Sequence, residues 1–484
     1  NQDININLLK QSIILLANRH DVLRTLFKSS ENGIYHQVVM NEEIKIQEYS
    51  SSSADIYSQI DSDVNRPFNL TTEYPLRICF YYNSKDNKYL LLINRHHIAS
   101  DGWSRVILLK EITHYYNFLI GKSNDLGLAN NSIQYRDYSY WQRHYISGIL
   151  LENQLKKKKK HLAGYEQFLL PTDKIRPKNI DYSGDTISVK LSHQLSQNLR
   201  TLASDNNCSL YVVLLSGFYV LLSKYSNSID LVVGTPIANR QFNQLAEIIG
   251  FFVNTLAVRV RLNISEPIET LLKIVHNTIT EAQLFQDLPF DKLVNSIELE
   301  RSSSQHPIFQ VMFNMIGFMN EDTHKEILSK SEYKTNQSAI FDITCEIDDS
   351  NQVLIVYFNY ATSLYEELTI QRMIKHYQNI LEQMVIRDNK PLANYNILSQ
   401  EEYQTIIYDW NATDKAYPSN KTVHELFIEQ AAKTPDNIAL VFEDTSLTYE
   451  DLDIRSNQLA HKIRRCYLQQ TGNELKPDTL IALC

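Results

Sequence analysis

The chain has 484 residues, enough for about three domain-sized units, and its 43% hydrophobic and 21% charged content is ordinary for a soluble globular protein. Its 47 Lys and Arg stand against 56 Asp and Glu, a net charge of −9, which argues against nucleic acid as the main partner because phosphate binding wants a basic face. No secretory signal opens the chain and no apolar run reaches the length of a membrane span, so the expectation is a cytoplasmic protein with no membrane partner.

In chain order, "INLLKQSIILLANRH" has helical spacing, "IYHQVVM" and "IKIQEYS" read as strands, and "SADIYSQIDSDVNRPF" is helical up to its proline. "PLRICFYYN" and "KYLLLINRH" read as paired strands joined by the turn-rich "SKDNK". Beyond Gly102, "WSRVILLKEITHYYNFLIG" is an amphipathic helix of about five turns. Lys156 to Lys160 sit on a polar helical stretch, read as a solvated face in preference to a docking patch for an acidic partner. "LLPTDKIRPKNIDYSG" breaks the pattern and reads as a crossover between two lobes.

A second set follows: "DTISVKLS", helices around "QNLRTLA" and "LYVVLLSGFYVLLSKYS", and strands at "DLVVGTPIAN" and "TLAVRVRLN". A helix from Pro267 to Gln286, the stretches "PIFQVMFNMIG", "FDITCEID" and "QVLIVYFNY", and a helix from Tyr365 to Ile386 complete it. Around Asn389 to Ser399 the pattern loosens into a linker, and a fresh alternation begins near "VHELFIEQAAKTPDNIALV". The chain starts inside a helical pattern and stops at "DTLIALC", inside what reads as a strand, so a piece of a larger protein is expected. Cys79, Cys208, Cys345, Cys466 and Cys484 are scattered without pairing or metal spacing, which fits free thiols in a reducing compartment.

The chemistry concentrates where an apolar strand runs into "RHHIASDG". Alternation along a strand sends His96 and His97 to opposite faces. Asp101 lies at the strand-to-helix turn, where it or Ser100 is placed to cap the next helix. Gly102 either lets backbone or substrate approach closely or supplies a positive φ. Three readings of these residues compete: a satisfied structural cluster, a metal site, and a general base or orienter at a tunnel mouth. The metal reading lacks the convergent ligands a closed site needs.

"HHIASDG" resembles the HHxxxDG signature of condensation domains from nonribosomal peptide synthetases. "RHDVLRTLF" resembles the family's RHExLRTxF, with Asp21 for Glu, and "YRDYSYW" is similar to YxDYAxW. "IGFFVNTLAVR" resembles IGxFVNTxxLR, and "FQDLPFDKLV" resembles HQDxPFExLV with Phe285 for His and Asp291 for Glu. "ERSSSQHPIFQVMF" resembles RSxSRxPLFQVMF with Gln305 for Arg. These stretches keep the family's order over roughly residues 1–398, with the family's first motif absent. Downstream, "LTYEDLDIRSNQLA" resembles the opening motif of adenylation domains.

The resemblance implies an α/β fold of two chloramphenicol-acetyltransferase-like lobes in a V-shaped pseudo-dimer. The expected divisions are residues 1–170 and 171–395 for the lobes, 396–422 for a linker, and 423–484 for the truncated start of an adenylation domain. It implies amide formation between a donor acyl or peptidyl thioester and an acceptor aminoacyl thioester. Both are carried on phosphopantetheine by carrier-protein partners, and the downstream adenylation domain lies in the same chain. No metal or cofactor of the domain's own is implied. His97 is expected to handle the proton and His96 to be structural. Asp101 should pair with an arginine, Arg19 first and Arg240 second, and Gly102 should lie where two tunnels meet. Asn254 and Trp141 match motif positions at which packing or lobe bracing is as good a reading. Ser100, Ser104 and Cys345 are rejected as nucleophiles, because no nucleophile elbow surrounds the serines and Cys345 alternates like a core residue.

An epimerization domain shares the histidine signature but does not normally precede an adenylation domain. A heterocyclization domain would show DxxxxD. A non-catalytic docking domain usually loses a histidine or the glycine, and an ester-forming acyltransferase on the same fold is the remaining alternative.

Overall fold

The computed structural model describes residues 4–51, 55–85, 87–128, 133–297, 302–317 and 338–482. Asp86 of the expected turn, Glu300 and Arg301 of one motif stretch, and Cys484 lie outside them. The chain divides into two compact units, Asn1–Glu401 and Glu402–Cys484.

The first unit opens with α1 (Ile6–Arg19), a hairpin of β1 (Thr25–Ser29) and β2 (Tyr35–Val39), β3 (Ile46–Ser51) and α2 (Asp55–Asn65). Then come β4 (Leu76–Asn83), β5 (Lys88–Arg95) and α3 (Gly102–Leu119). β4 is central, parallel to β3 and antiparallel to β5. α1 and α3 cover one face of this sheet, burying Ile78 and Phe80 and packing Leu91 and Ile93. On the other face Ile56 and Ile60 of α2 pack with Cys79, Tyr81, Leu90 and Leu92. Covering both faces is why the middle of β4, Ile78 to Tyr82, reads as an unbroken apolar and aromatic run.

After α4 (Tyr135–Tyr145) and α5 (Gly148–Leu162), the second half adds β6 (Gly184–Lys190), α6 (His193–Asp205), α7 (Leu210–Ser226), β7 (Asp230–Ile237) and β8 (Asn254–Arg261). It continues through α8 (Ile268–Gln283), α9 (Phe290–Ser296), β9 (Val311–Ile316), β10 (Ile343–Asp348), β11 (Ile355–Ala361) and α10 (Glu367–Met384). Its mixed sheet runs β6-β11-β10-β9-β7-β8. One face packs against a layer built around α7, in which Val212 to Leu222 are all buried, as a helix apolar on every side requires. The fold class is therefore the expected mixed α/β, with separate cores for the two sheets.

Three expectations for the first unit need correction. Residues 146–165, assigned to the first half, pack with the second: Ile146, Leu150, Leu151, Leu155 and Leu162 join Val232, Ala257, Leu288 and Leu293. The lysine run on α5 is not uniformly solvated either. Lys158 is buried, with Nζ donating to the Ala282 carbonyl at 3.4 Å. Finally, residues 389–399 are not a loose linker. Leu392 and Tyr395 are buried, the Leu392 and Ala393 amides donate to Glu266 and Ile264 carbonyls, and Asn379 Nδ2 donates to Ile397 O.

Across the unit boundary runs α11 (Gln400–Gln404). The second unit holds α12 (Val423–Lys433), the hairpin of β12 (Ile438–Phe442) and β13 (Thr445–Thr448), and α13 (Tyr449–Thr471). Capping boxes start both helices, Thr422 with Glu425 and Thr448 with Asp451. The expected strand at "DTLIALC" is absent among its described residues, where Leu480 is 98% exposed and no strand pairs with it.

Candidate functional site

β5 ends at Arg95, one residue before the histidine pair. His96 is extended (φ −77°, ψ 138°) and caps a single 3-10 turn, His97–Ala99, its Nδ1 accepting from the Ile98 amide at 3.1 Å. That geometry leaves Nδ1 unprotonated, and burial, with His97 as a lesser cause, holds His96 below the usual imidazole value. Strand alternation thus does not separate the two rings; the tight turn does. His96 meets the edge of Phe68 from the first half, while His97 is exposed and stands edge-on to Phe251 of the second half, ring centres 5.3 Å apart.

The turn is fastened by Asp101, which is buried and caps α3. Oδ1 accepts from the Ser104 amide at 2.7 Å and Oδ2 from the Phe252 amide at 3.1 Å. Both oxygens face Arg240 Nη2, at 3.3 and 3.4 Å. Arg240 also donates to the Leu245 and Ile248 carbonyls and to Ser104 Oγ, and its guanidinium lies over the Phe252 ring. Burial draws Arg240 down from the usual guanidinium range, against the pull of Asp101.

Arg19, the first expected partner of Asp101, is engaged elsewhere. Its Nε donates to Glu111 Oε1 at 3.2 Å, beside His20 Nε2, which lies 2.8 Å from Glu111 Oε2. His20 Nδ1 accepts a long hydrogen bond, 3.5 Å, from the Ile249 amide, so the proton of this fully buried imidazole sits on Nε2 and points at Glu111.

Those contacts converge on one segment, Ile249–Phe252, which enters from the second half and is bonded residue by residue to the first. His20 takes the Ile249 amide, Ser104 Oγ takes the Gly250 amide and donates to the Gly250 carbonyl, Tyr135 OH donates to the Phe251 carbonyl, and Asp101 takes the Phe252 amide. Phe251 is thereby held against His97. The sequence signal for this segment was "IGFFVN"; nothing in the sequence said which side chains bind its backbone. Ser104, rejected as a nucleophile, is a saturated hydrogen-bonding node of the latch.

Gly102 is exposed, has no positive φ, and among the described residues a Cβ there would meet nothing within 4 Å beyond its chain neighbours and its own helix backbone. The fold itself does not demand glycine. Asn254 is structural: Nδ2 donates to the Gln286 and Leu288 carbonyls and Oδ1 accepts from the Thr255 and Phe290 amides. Trp141 braces the two halves, stacked on Tyr145 and edge-on to Phe242. Among the described residues no group of three His, Cys, Asp or Glu side chains is placed to hold a metal ion, and no single helix is long and apolar enough to cross a membrane.

A family model described as the condensation domain matches residues 1–407. The chain is 37% identical to gramicidin S synthase 2 of Brevibacillus brevis, over 93% of this chain and 10% of that one. It is 31% identical to bacitracin synthase 3 of Bacillus licheniformis, over 96% of this chain and 7% of that one. It therefore spans a tenth or less of the length of these relatives. A four-domain nonribosomal peptide synthetase crystallised with AMP and glycine shares the fold, with a TM-score of 0.79 at 22% identity, over 93% of this chain and 35% of that one.

Proposed function

The chain belongs to the condensation-domain family, and from that premise we propose that it forms an amide between two carrier-bound thioesters. The acceptor's α-amine attacks the donor's thioester carbonyl, the C–S bond breaks, and the donor carrier's pantetheine thiol leaves. The nitrogen's surplus proton passes to His97 or water. The observation behind this reading is the position of His97: exposed, carried on a turn locked by Asp101 and Arg240, and set at the junction of the two halves against Phe251.

The donor is already activated, so positioning supplies much of the rate. Holding both thioesters at attack distance contributes about 7–11 kcal/mol. A free α-amine titrates near 8, so at neutral pH much of it must shed a proton, and a suitably placed histidine contributes roughly 10²–10⁴ to that step. Asp101 holds the loop rather than reacting, and Gly102 leaves room where the two substrates meet. Donor and acceptor carrier domains are the partners, and residues 423–484 are the opening of an adenylation domain, a reading supported by "LTYEDLDIRSNQLA" at the start of α13. The pantetheine arms arrive with the carriers, and no resident cofactor takes part.

The test is single-turnover amide formation with both carriers preloaded. Product must require both loaded carriers and survive chelation of divalent metal. Free hydrolysis of the donor without amide product, or epimerised donor instead of product, would overturn the reading.

A further inference from the structure

Arg95 is the last residue of β5 and the immediate neighbour of His96. It lies half-buried, and the one hydrogen bond of its side chain among the described residues runs from Nη1 to Ser100 Oγ, at 2.7 Å, inside the histidine turn. No carboxylate stands within ion-pair distance of it among the described residues. The acid that acts on it, Asp101, has its oxygens engaged by Arg240, the Ser104 amide and the Phe252 amide. A second cation, Arg105 on the first turn of α3, repels it, and Arg95 is pushed down to about 10, by burial first and Arg105 second. Buried cations in proteins are ordinarily matched by an anion, because removing charge from water is costly. Among the described residues none supplies one to Arg95, and its neighbour on the turn is the histidine pair.

We propose that Arg95 is an anion subsite beside the histidine pair, receiving a carboxylate on the acyl or aminoacyl group of one of the two substrates. The inference rests on the proposed condensation reaction for which substrate enters here, and it deepens that reading by naming a substrate class: an acidic amino acid or a dicarboxylic acyl group. A substrate carboxylate is favoured over the pantetheine phosphate because Arg95 is two residues from His97, whereas the phosphate sits a whole pantetheine arm from the reacting thioester.

The test uses stable amide analogues of aspartyl- and glutamyl-pantetheine without the phosphate, with a free amine to mimic the acceptor and N-acylated to mimic the donor, beside their asparaginyl and glutaminyl counterparts. Equilibrium binding to the full chain should favour at least one acidic analogue by roughly 10–100-fold, the range expected of a charge-assisted hydrogen bond. Arg95→Gln should abolish that preference while leaving the neutral analogues unchanged, and Arg95→Lys should keep part of it. The proposal is overturned if wild type does not distinguish acid from amide on either side. It is equally overturned if Arg95→Gln weakens only phosphorylated analogues, which would assign the site to the pantetheine phosphate, or weakens all analogues alike, which would make Arg95 a brace of the turn. Binding is read without turnover, so loss of amide synthesis in the carrier assay would count against the condensation reading and not against this subsite.

Discussion

Asp101 and Arg240 meet across the two halves of the first unit, 139 positions apart in sequence and 3.3 Å apart in space, with side chains 3% and 2% exposed. One residue caps the helix behind the histidine turn, and the other gathers the carbonyls of Leu245 and Ile248 just before the latch segment. Breaking a buried pair on one side strands the other charge, which typically costs about 3–5 kcal/mol. Asp101→Asn and Arg240→Met should each lose about that much in urea unfolding. The double variant should be less destabilised than the two single costs combined, and additivity would show the pair is not energetically coupled.

Two glycines of the site should respond oppositely. A Cβ at Gly250 would drive into the Tyr135 ring, the residue that holds the Phe251 carbonyl. Gly250→Ala should therefore destabilise the fold by roughly 1–3 kcal/mol through overpacking. Gly102→Ala should melt at or slightly above wild type, since alanine favours a helix by up to about 1 kcal/mol over glycine and no neighbouring atom among the described residues obstructs it. Its turnover should nonetheless fall by about 10–100-fold if substrates meet there, as small displacements at a reacting centre do. Unchanged single-turnover rates for Gly102→Ala would remove Gly102 from the site.

The strands and helices were legible because each carries its own period, and the cap at Asp101 because acid before an apolar helix is a local signal. The partner of Asp101 was not. Arg19 and Arg240 are both remote from Asp101 in sequence, and the buried Glu111, 92 positions from Arg19, engages Arg19 and leaves Arg240 for Asp101. His96 and His97 do part as expected, one inward and one outward, but through the 3-10 turn rather than strand alternation, because the strand stops at Arg95. The burial of Lys158 was readable: Leu151, Leu155, Lys158 and Leu162 fall on one helical stripe, which the eye loses inside a run of five lysines.

Burial pushes Lys158 down to about 8 from 10.5, a difference of roughly 3 kcal/mol between its two protonation states. Its folded value is the lower one, so the unfolded chain binds the extra proton between about pH 8 and 10.5. In that window stability from this group rises with pH. Below pH 8 the penalty is fully present. Lys158→Met should therefore stabilise the protein at pH 7 by about 2 kcal/mol, once the lost hydrogen bond to Ala282 is allowed for. As the penalty disappears toward pH 10.5 the gain should vanish and turn into a loss of about 1 kcal/mol, the hydrogen bond that Met cannot make. Melting curves of both proteins against pH provide the check, and a gain independent of pH would mean Lys158 is not desolvated.

The two histidines should separate by what each loses. His97 is exposed and touches Phe251, so His97→Ala should melt close to wild type while amide formation slows by roughly 10²–10⁴. His96 caps the turn through Nδ1, so His96→Ala leaves the Ile98 amide unpaired and should cost about 1–3 kcal/mol. His96→Asn can replace the cap and should recover much of that stability. If His97 manages the proton, raising the pH toward 9 should partly rescue His97→Ala, because more acceptor amine is then neutral without help. A residue that only places the amine predicts a flat ratio of variant to wild-type rate across pH. Single-turnover rates against pH, with both carriers preloaded, distinguish the two. Full loss of turnover in His96→Asn with a normal melt, beside an active His97→Ala, would reverse the roles of the two rings.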